Sequence, residues 1–417
     1  MPASLRCLFA VMLFFLVSGQ TAAHAQSVSE LFSKGINIAR LHNLPIRDPQ
    51  DRLKYLWPPF QGDLAQISDE EIKRLRDVGF TFIRLPVAPR PFLTVSHEDR
   101  QQLEDGLFKT IDRFQSAGLA VLLDPHPTHR QEDFSALSIL DSPGDDTFMA
   151  YVNWITSLAT SLRERPSELS AMGLMNEPQI DCYKRWGNDW TDIQPVLFEA
   201  VRAAAPDLTI AVTTGCWSSY RGLTHLDMSL FDDNTLIDLH FYTPYIFTHQ
   251  SLPFASSPAR YVAGLEYPAA VDELEGTVSL SKDLIALRRS QNRSVSNDAL
   301  KEAEKGIRKY YLTDKVDRLY LRKRFDPIEN WRVEQGLSSR RILIGEFGAA
   351  RAPKQLPKNT ARYNWIRDVR ELAESFGFGF AYWDYHAGAG YTGFGIVKDN
   401  ASRTLDANAL DALGLRN

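Results

Sequence analysis

Two periods alternate along this chain. Short unbroken aliphatic runs have the pattern of strands buried on both faces. Between them, apolar residues return every three to four positions, as in helices with one buried stripe. The runs fall at 33–39, 80–87, 119–123, 172–175, 208–213, 236–241, 341–345 and 378–383. Helices are predicted at 68–79, 97–116, 146–163, 188–205, 361–376 and 405–415. The first has clearly marked ends. Ser68 and Glu71 form a capping box, Ile72, Leu75 and Val78 make one apolar stripe, and Gly79 stops it. Strand–helix alternation implies parallel pairing through right-handed crossovers. Eight such units close an α/β fold of the (β/α)8 TIM barrel type. The competing open doubly wound sheet needs a glycine-rich phosphate turn after an early strand, and none follows the early runs.

The spacing breaks once. Residues 243–340 separate the sixth and seventh runs, with helical pattern at 297–310 and 314–324. A connection this long after a barrel strand rises on the face where such barrels carry their sites. It is expected to be a cleft wall or lid. A separate binding module would bring a Pro/Gly/Ser linker, which neither end has.

At the start of the chain, Arg6, an apolar run at 8–17 and Ala23-His24-Ala25 follow the order of a cleavable secretory leader over 1–25. That leaves one domain at 26–417. The apolar run is too short to span a bilayer, and Cys7 precedes it, so no lipid anchor is read. Two cysteines then remain, Cys182 and Cys216. An even pair in an oxidising compartment suggests a disulfide, and both stand just past neighbouring runs; two buried thiols are the alternative. Composition changes the picture less. A formal net charge of −5 disfavours nucleic acid as a partner. Eight Trp are mostly core filling, with a subset available as sugar platforms.

The chemistry gathers where runs end. The sharpest case is Gly345-Glu346-Phe347-Gly348, a carboxylate between two glycines at the exit of an aliphatic strand. Such a carboxylate is costly to desolvate without partners, and the glycines are expected to let the backbone approach a ligand. Barrel active sites form at the C-terminal ends of strands. Standing there are Arg84, His126, Asn176 with Glu177, His240 with Tyr242, Glu346 and Trp383. Each alone fits a core role, whereas eight on one mouth do not. Two facing carboxylates are the apparatus of glycoside hydrolysis.

Here the chain resembles glycoside hydrolase family 5, the cellulase and mannanase family. The matching pieces are Phe82-Ile83-Arg84-Leu85-Pro86, Asp124-Pro125-His126, Asn176-Glu177-Pro178, His240-Phe241-Tyr242, Gly345-Glu346-Phe347-Gly348 and Tyr382-Trp383. The resemblance implies a retaining mechanism with Glu346 as nucleophile and Glu177 as acid, then base. Arg84 would keep Glu346 ionised and Tyr242 would donate to it. His240 would lie beside Glu177, Asn176 would bind the sugar 2-hydroxyl, His126 would touch the ring and Trp383 would lie beneath it. Trp217 and Trp57 are candidates for outer subsites.

A metal-dependent barrel hydrolase would place a His-x-His pair at the first strand. Arg40-Leu41-His42 has no second histidine there, and His126 and His129 flank Pro127 in poor ligand geometry. A non-catalytic sugar-binding barrel would dispense with one carboxylate, and both are present. The expected protein is therefore a monomeric, cofactor-free endo-β-glycanase, secreted or periplasmic, acting on β-1,4-glucan. Mannan, β-1,3-glucan or the producer's own exopolysaccharide are the alternative substrates.

Overall fold

The computed structural model describes residues 31–51, 53–128, 132–179, 181–183, 189–357, 360–388 and 393–416. The leader segment, Cys7 and His129 lie outside the described residues.

Eight parallel strands close a barrel in chain order: β1 Lys34–Asn37, β2 Phe82–Val87, β3 Ala120–Pro125, β4 Ser170–Gly173, β5 Thr209–Thr213, β6 Thr235–Phe241, β7 Ile342–Phe347 and β8 Gly379–Tyr382. β8 pairs with β1, Ala381 opposite Gly35, and closes the ring. Around it run α1 Asp69–Val78, α2 His97–Ser116, α3 Asp146–Leu162, α4 Trp190–Ala204, α5 Leu274–Ser290, α6 Ala299–Arg308, α7 Arg318–Glu334 and α8 Ala361–Phe376. α1 carries the capping box read from its sequence, and Gly79 caps it at φ 114°.

Inside the barrel, two layers differ in character. Phe82, Leu122, Ala171, Ala211, Leu236, Leu343 and Ala381 make an apolar floor. Above it, toward the strand exits, lie buried Asn37, Arg84, Asp124, Asp238, His240 and Glu346. β6 passes from one layer to the other on a single face, because side chains alternate along a strand: Leu236, then Asp238, then His240.

Two expectations need correcting. β4 begins and ends two residues before the expected 172–175. Leu174 and Met175 are buried beyond the strand, so their hydrophobicity mimicked it, while the true first residue is a serine. The backbone leading into β4 is tied down by side chains instead: Gln115 donates to the Leu169 carbonyl and Ser170 Oγ to the Pro166 carbonyl. The stretch 243–340 is also not all excursion. α7 belongs to the barrel's helical layer, where Phe325 packs on Phe241 of β6 and on Phe376 and Phe378. It continues past 324 to Glu334 with Pro327 inside it, and α5 was not foreseen.

The excursion proper leaves β6 and returns at α7. Its first part borders the barrel mouth. The Ala350 N–H donates to the Thr248 carbonyl, and Leu252, Ala255 and Ala259 pack with Ala350 and Phe394 beside Tyr242 and Trp383. It leans further out on α8, where Tyr267 donates to Asp368 and Asn364 to the Tyr267 carbonyl.

Candidate active site

Arg84 is the hub of the mouth, and each of its three nitrogens donates. Nε reaches Asp238 Oδ2 at 3.3 Å. Nη1 reaches Asn37 Oδ1 at 3.0 Å and Glu346 Oε1 at 2.8 Å, with Asp124 Oδ2 at 3.1 Å. Nη2 reaches Asn176 Oδ1 at 2.9 Å and stands 3.4 Å from His240 Nε2. The rigid fork of a guanidinium suits this division of labour, which an ammonium could not reproduce. Burial works against its charge, but Asp124, Asp238 and Glu346 together raise its pKa further. Arg84 is a permanent cation.

From Arg84 a directed chain runs across the mouth. Asn176 accepts at Oδ1, so its Nδ2 faces His126 Nε2 at 3.2 Å. Nδ2 can only donate, so Nε2 accepts and the His126 proton sits on Nδ1, which meets Asp124 Oδ2 at 2.7 Å. The His126 ring stacks on Trp383, centroids 5.7 Å apart and 15° between planes.

The two glutamates enter from opposite directions. Glu346 is aimed by an irregularity in β7. Leu239 pairs with Ile344 but His240 with Glu346, so Gly345 is an extra residue in the ladder; such bulges re-aim side chains near active sites. Tyr242 donates to Glu346 Oε2 at 2.9 Å. Glu177 stands at φ 41°, a left-handed conformation that costs a non-glycine residue roughly 1–2 kcal/mol and recurs at functional sites. His240 Nδ1 lies 2.9 Å from Glu177 Oε1 and 3.6 Å from Glu346 Oε2. One carboxylate oxygen of Glu177, one of Glu346 and a His240 nitrogen all fall within 4.8 Å of one another. That trio has the reach to hold a cation. Its lone pairs are already committed to Arg84, Tyr242 and the His240 proton, so it is better suited to hydrogen-bonded acid–base work.

All eight strand-end residues chosen from the sequence therefore converge. Trp217 and Trp57 stand on the loops after β5 and β1, 40% and 46% exposed, outside the Arg84 network. Cys182 and Cys216 are disulfide-bonded.

Each glycine beside Glu346 is fitted against a neighbour. A side chain at Gly345 would collide with the Asp238 carboxylate, and one at Gly348 would come 2.5 Å from the Trp383 carbonyl oxygen. They make room for groups on the neighbouring strands. Sequence reasoning missed Asn37, Asp124, Asp238 and Asp384 as members of the site. Asp238 lies two residues before His240, and the period of a strand would have found it. Burial pushes the Asp238 carboxyl upward against Arg84, and its Oδ1 has no partner among the described residues. Burial lifts Asp384, next to Trp383, to about 7, against the pull of Arg40 and with help from Glu346.

The family model of cellulase (glycosyl hydrolase family 5) matches residues 58–389. The chain belongs to glycosyl hydrolase family 5.

It is 23% identical over 325 residues to Endoglucanase C of Acetivibrio thermocellus, covering 76% of this chain and 84% of that one. Among solved structures, it is similar in fold to Cel5A of Thermotoga maritima in complex with cellobiose, at TM-score 0.62 and 20% identity over 93% of this chain and 98% of that one. It is also similar to the cellulose synthase subunit Z of Clostridioides difficile, at TM-score 0.61 and 21% identity over 91% and 99%. This family-5 chain is thus a glycoside hydrolase.

His240 contributes a pH dependence of its own. Burial opposes the imidazolium, but Glu346 and Glu177 outweigh burial and Arg84 and lift His240 to about 9 from an ordinary 6.5. A raised pKa contributes stability that is complete below the unfolded value and is lost as pH rises through the folded one. Between pH 6.5 and 9 the protein is therefore expected to lose on the order of 3 kcal/mol from this group. Urea unfolding of wild type and His240→Gln at pH 6 and pH 9.5 checks this. The two proteins should converge at the higher pH, and parallel curves would contradict it.

Proposed function

We propose that this family-5 hydrolase is a retaining endo-β-1,4-glucanase working by double displacement. The observation that carries the reading is the pair Glu177 and Glu346, with carboxylate oxygens within 4.8 Å. Retaining glycosidases hold their carboxyl groups about 5–5.5 Å apart, whereas inverting ones leave space for a water between them. The names of the similar endoglucanases support the substrate.

Glu346 attacks the anomeric carbon. Burial pushes its carboxyl upward, with His240 and Arg84 pulling it down and Glu177 pushing it up again. The donors Arg84 and Tyr242 are aimed at its two oxygens, so they favour the ionised, attacking form. Tyr242 is held far above its ordinary pKa, first by burial and then by Glu346, and so stays a donor. Glu177 passes its proton to the glycosidic oxygen as the bond breaks, and the leaving glycan departs. The resulting ester at Glu346 carries no charge. Glu177 then takes the proton of an incoming water, which releases the sugar with retained configuration. Asn176 is oriented by Arg84 and His126 to meet the 2-hydroxyl, and Trp383, braced by His126, is the platform beneath the ring.

The leader pattern and the disulfide both support action outside the cytoplasm, in a periplasm or beyond the cell. The test is reducing-end release across soluble β-1,4-glucan, mannan, β-1,3-glucan and bacterial exopolysaccharides. β-1,4-Glucan should be cleaved fastest, with a falling viscosity that marks internal cuts. Faster release from mannan would replace the substrate assignment, and inertness on every glycan would favour a binding protein.

A further inference from the structure

The disulfide joins the loop that carries the proposed acid to the loop after β5. Glu177 belongs to the loop after β4, which runs through Gln179 to Cys182. The loop after β5 begins at Thr214 and presents Trp217. Their backbones are stitched together: the Cys216 N–H donates to the Asp181 carbonyl at 3.1 Å and the Trp217 N–H to the Gln179 carbonyl at 2.9 Å. Gly215 has no side chain where a Cβ would come 2.7 Å from the Asp181 oxygen and 2.8 Å from that of Cys182.

The turn held in this way is an unfavourable one. Cys216, Trp217 and Ser218 stand in succession at φ 56°, 59° and 55°, a left-handed run that bulky residues avoid. Such strain persists only where the surroundings over-determine it. Here the surroundings are the bridge, the two hydrogen bonds and Thr214, whose hydroxyl donates to the Ser219 carbonyl at 2.7 Å. Trp217, in the middle of this turn, is 40% exposed.

We propose that the Cys182–Cys216 bridge is a positioning device for substrate: it holds the strained turn that presents Trp217 as a platform for glycan units beyond the cleavage point. The proposal rests on the β-glucanase reading. It implies that breaking the bridge weakens binding of long chains and leaves the chemical step intact.

The test compares wild type with Cys182→Ser/Cys216→Ser, Trp217→Ala, the triple variant, and Cys182→Ser/Cys216→Gly, whose glycine accepts the left-handed turn without a bridge. On cellohexaose, the bridge-free variant and Trp217→Ala should each raise KM about tenfold, and the triple variant should be no worse than Trp217→Ala, because coupled sites are not additive. On a short aryl β-cellobioside the bridge-free variant should keep kcat within about twofold. The glycine variant should recover most of the lost affinity. An unchanged KM in the bridge-free variant, losses that multiply in the triple variant, or an equal loss on the short substrate would each overturn the proposal. A substrate-free measurement keeps it apart from the fate of the β-glucanase reading. The emission of Trp217, taken as wild type minus Trp217→Phe, should shift when dithiothreitol reduces the folded protein; no shift would overturn the proposal even for an enzyme inert on glucans.

Discussion

Glu346→Gln should lower kcat on β-1,4-glucan by roughly 10^4-fold or more, the scale seen when a covalent nucleophile is removed. Glutamine keeps the volume and one acceptor oxygen, so Tyr242 retains a partner and the barrel should still fold. It cannot form a glycosyl ester, and its neutral amide presents an N–H to donors that were built for an anion. KM and affinity for cello-oligosaccharides should change little, because the loss falls on the step that forms the ester. The decisive measurement is single-turnover kinetics beside circular dichroism of the same preparation. Activity within tenfold of wild type, from a sample free of wild-type contamination, would remove Glu346 from the nucleophile's role.

Arg84→Met should have the largest effect on the fold. Removing this one cation leaves Asp124, Asp238 and Glu346 in a buried layer with their common partner gone. Breaking a buried pair on one side costs about 3–5 kcal/mol. The variant relieves part of this by taking up protons, since an uncompensated buried carboxyl has a raised pKa. A raised carboxyl pKa means that the folded state binds more protons than the unfolded one, so stability improves as pH falls. The destabilisation measured in urea should therefore be larger at pH 8 than at pH 5. A pH-independent deficit would mean that lost packing, rather than stranded charge, dominates. Turnover should fall as well, because Glu346 loses its strongest donor and Asn176 its orientation.

Much of this was legible in the amino-acid pattern. Buried parallel strands advertise themselves by unbroken aliphatic runs, and barrel geometry then assigns each strand exit to one mouth. Arg84, His126, Asn176, Glu177, His240, Tyr242, Glu346 and Trp383 were all reachable by that route. The supporting layer was harder to see. Asn37 ends β1 within a run read as continuing to 39, and Asp238 sits inside β6; a polar residue at either place signals a buried partner only once Arg84 is known to need one. Asp384 follows a tryptophan in a loop and has no periodic signal. The shift in β4 arose because Leu174 and Met175 are buried for tertiary reasons that look like strand propensity. α7 runs past the expected end at 324 even though Pro327 lies inside it, because the packing of Phe325 and Ile328 outweighs one missing hydrogen bond. Which atoms touch across the mouth, and that Gly345 accommodates Asp238, depends on distances that no linear pattern encodes.

That last contact has a historical consequence. The space above Gly345 is occupied by an acid from the adjacent strand, so neither position can change freely. A mutation that adds any side chain at 345 is disfavoured while Asp238 remains, yet losing Asp238 first leaves Arg84 Nε unsatisfied and opens a void beside Glu346. Lineages descending from this protein should therefore exchange the two positions in a set order, the acid shrinking before the glycine grows. Laboratory drift under selection for activity should reproduce that order.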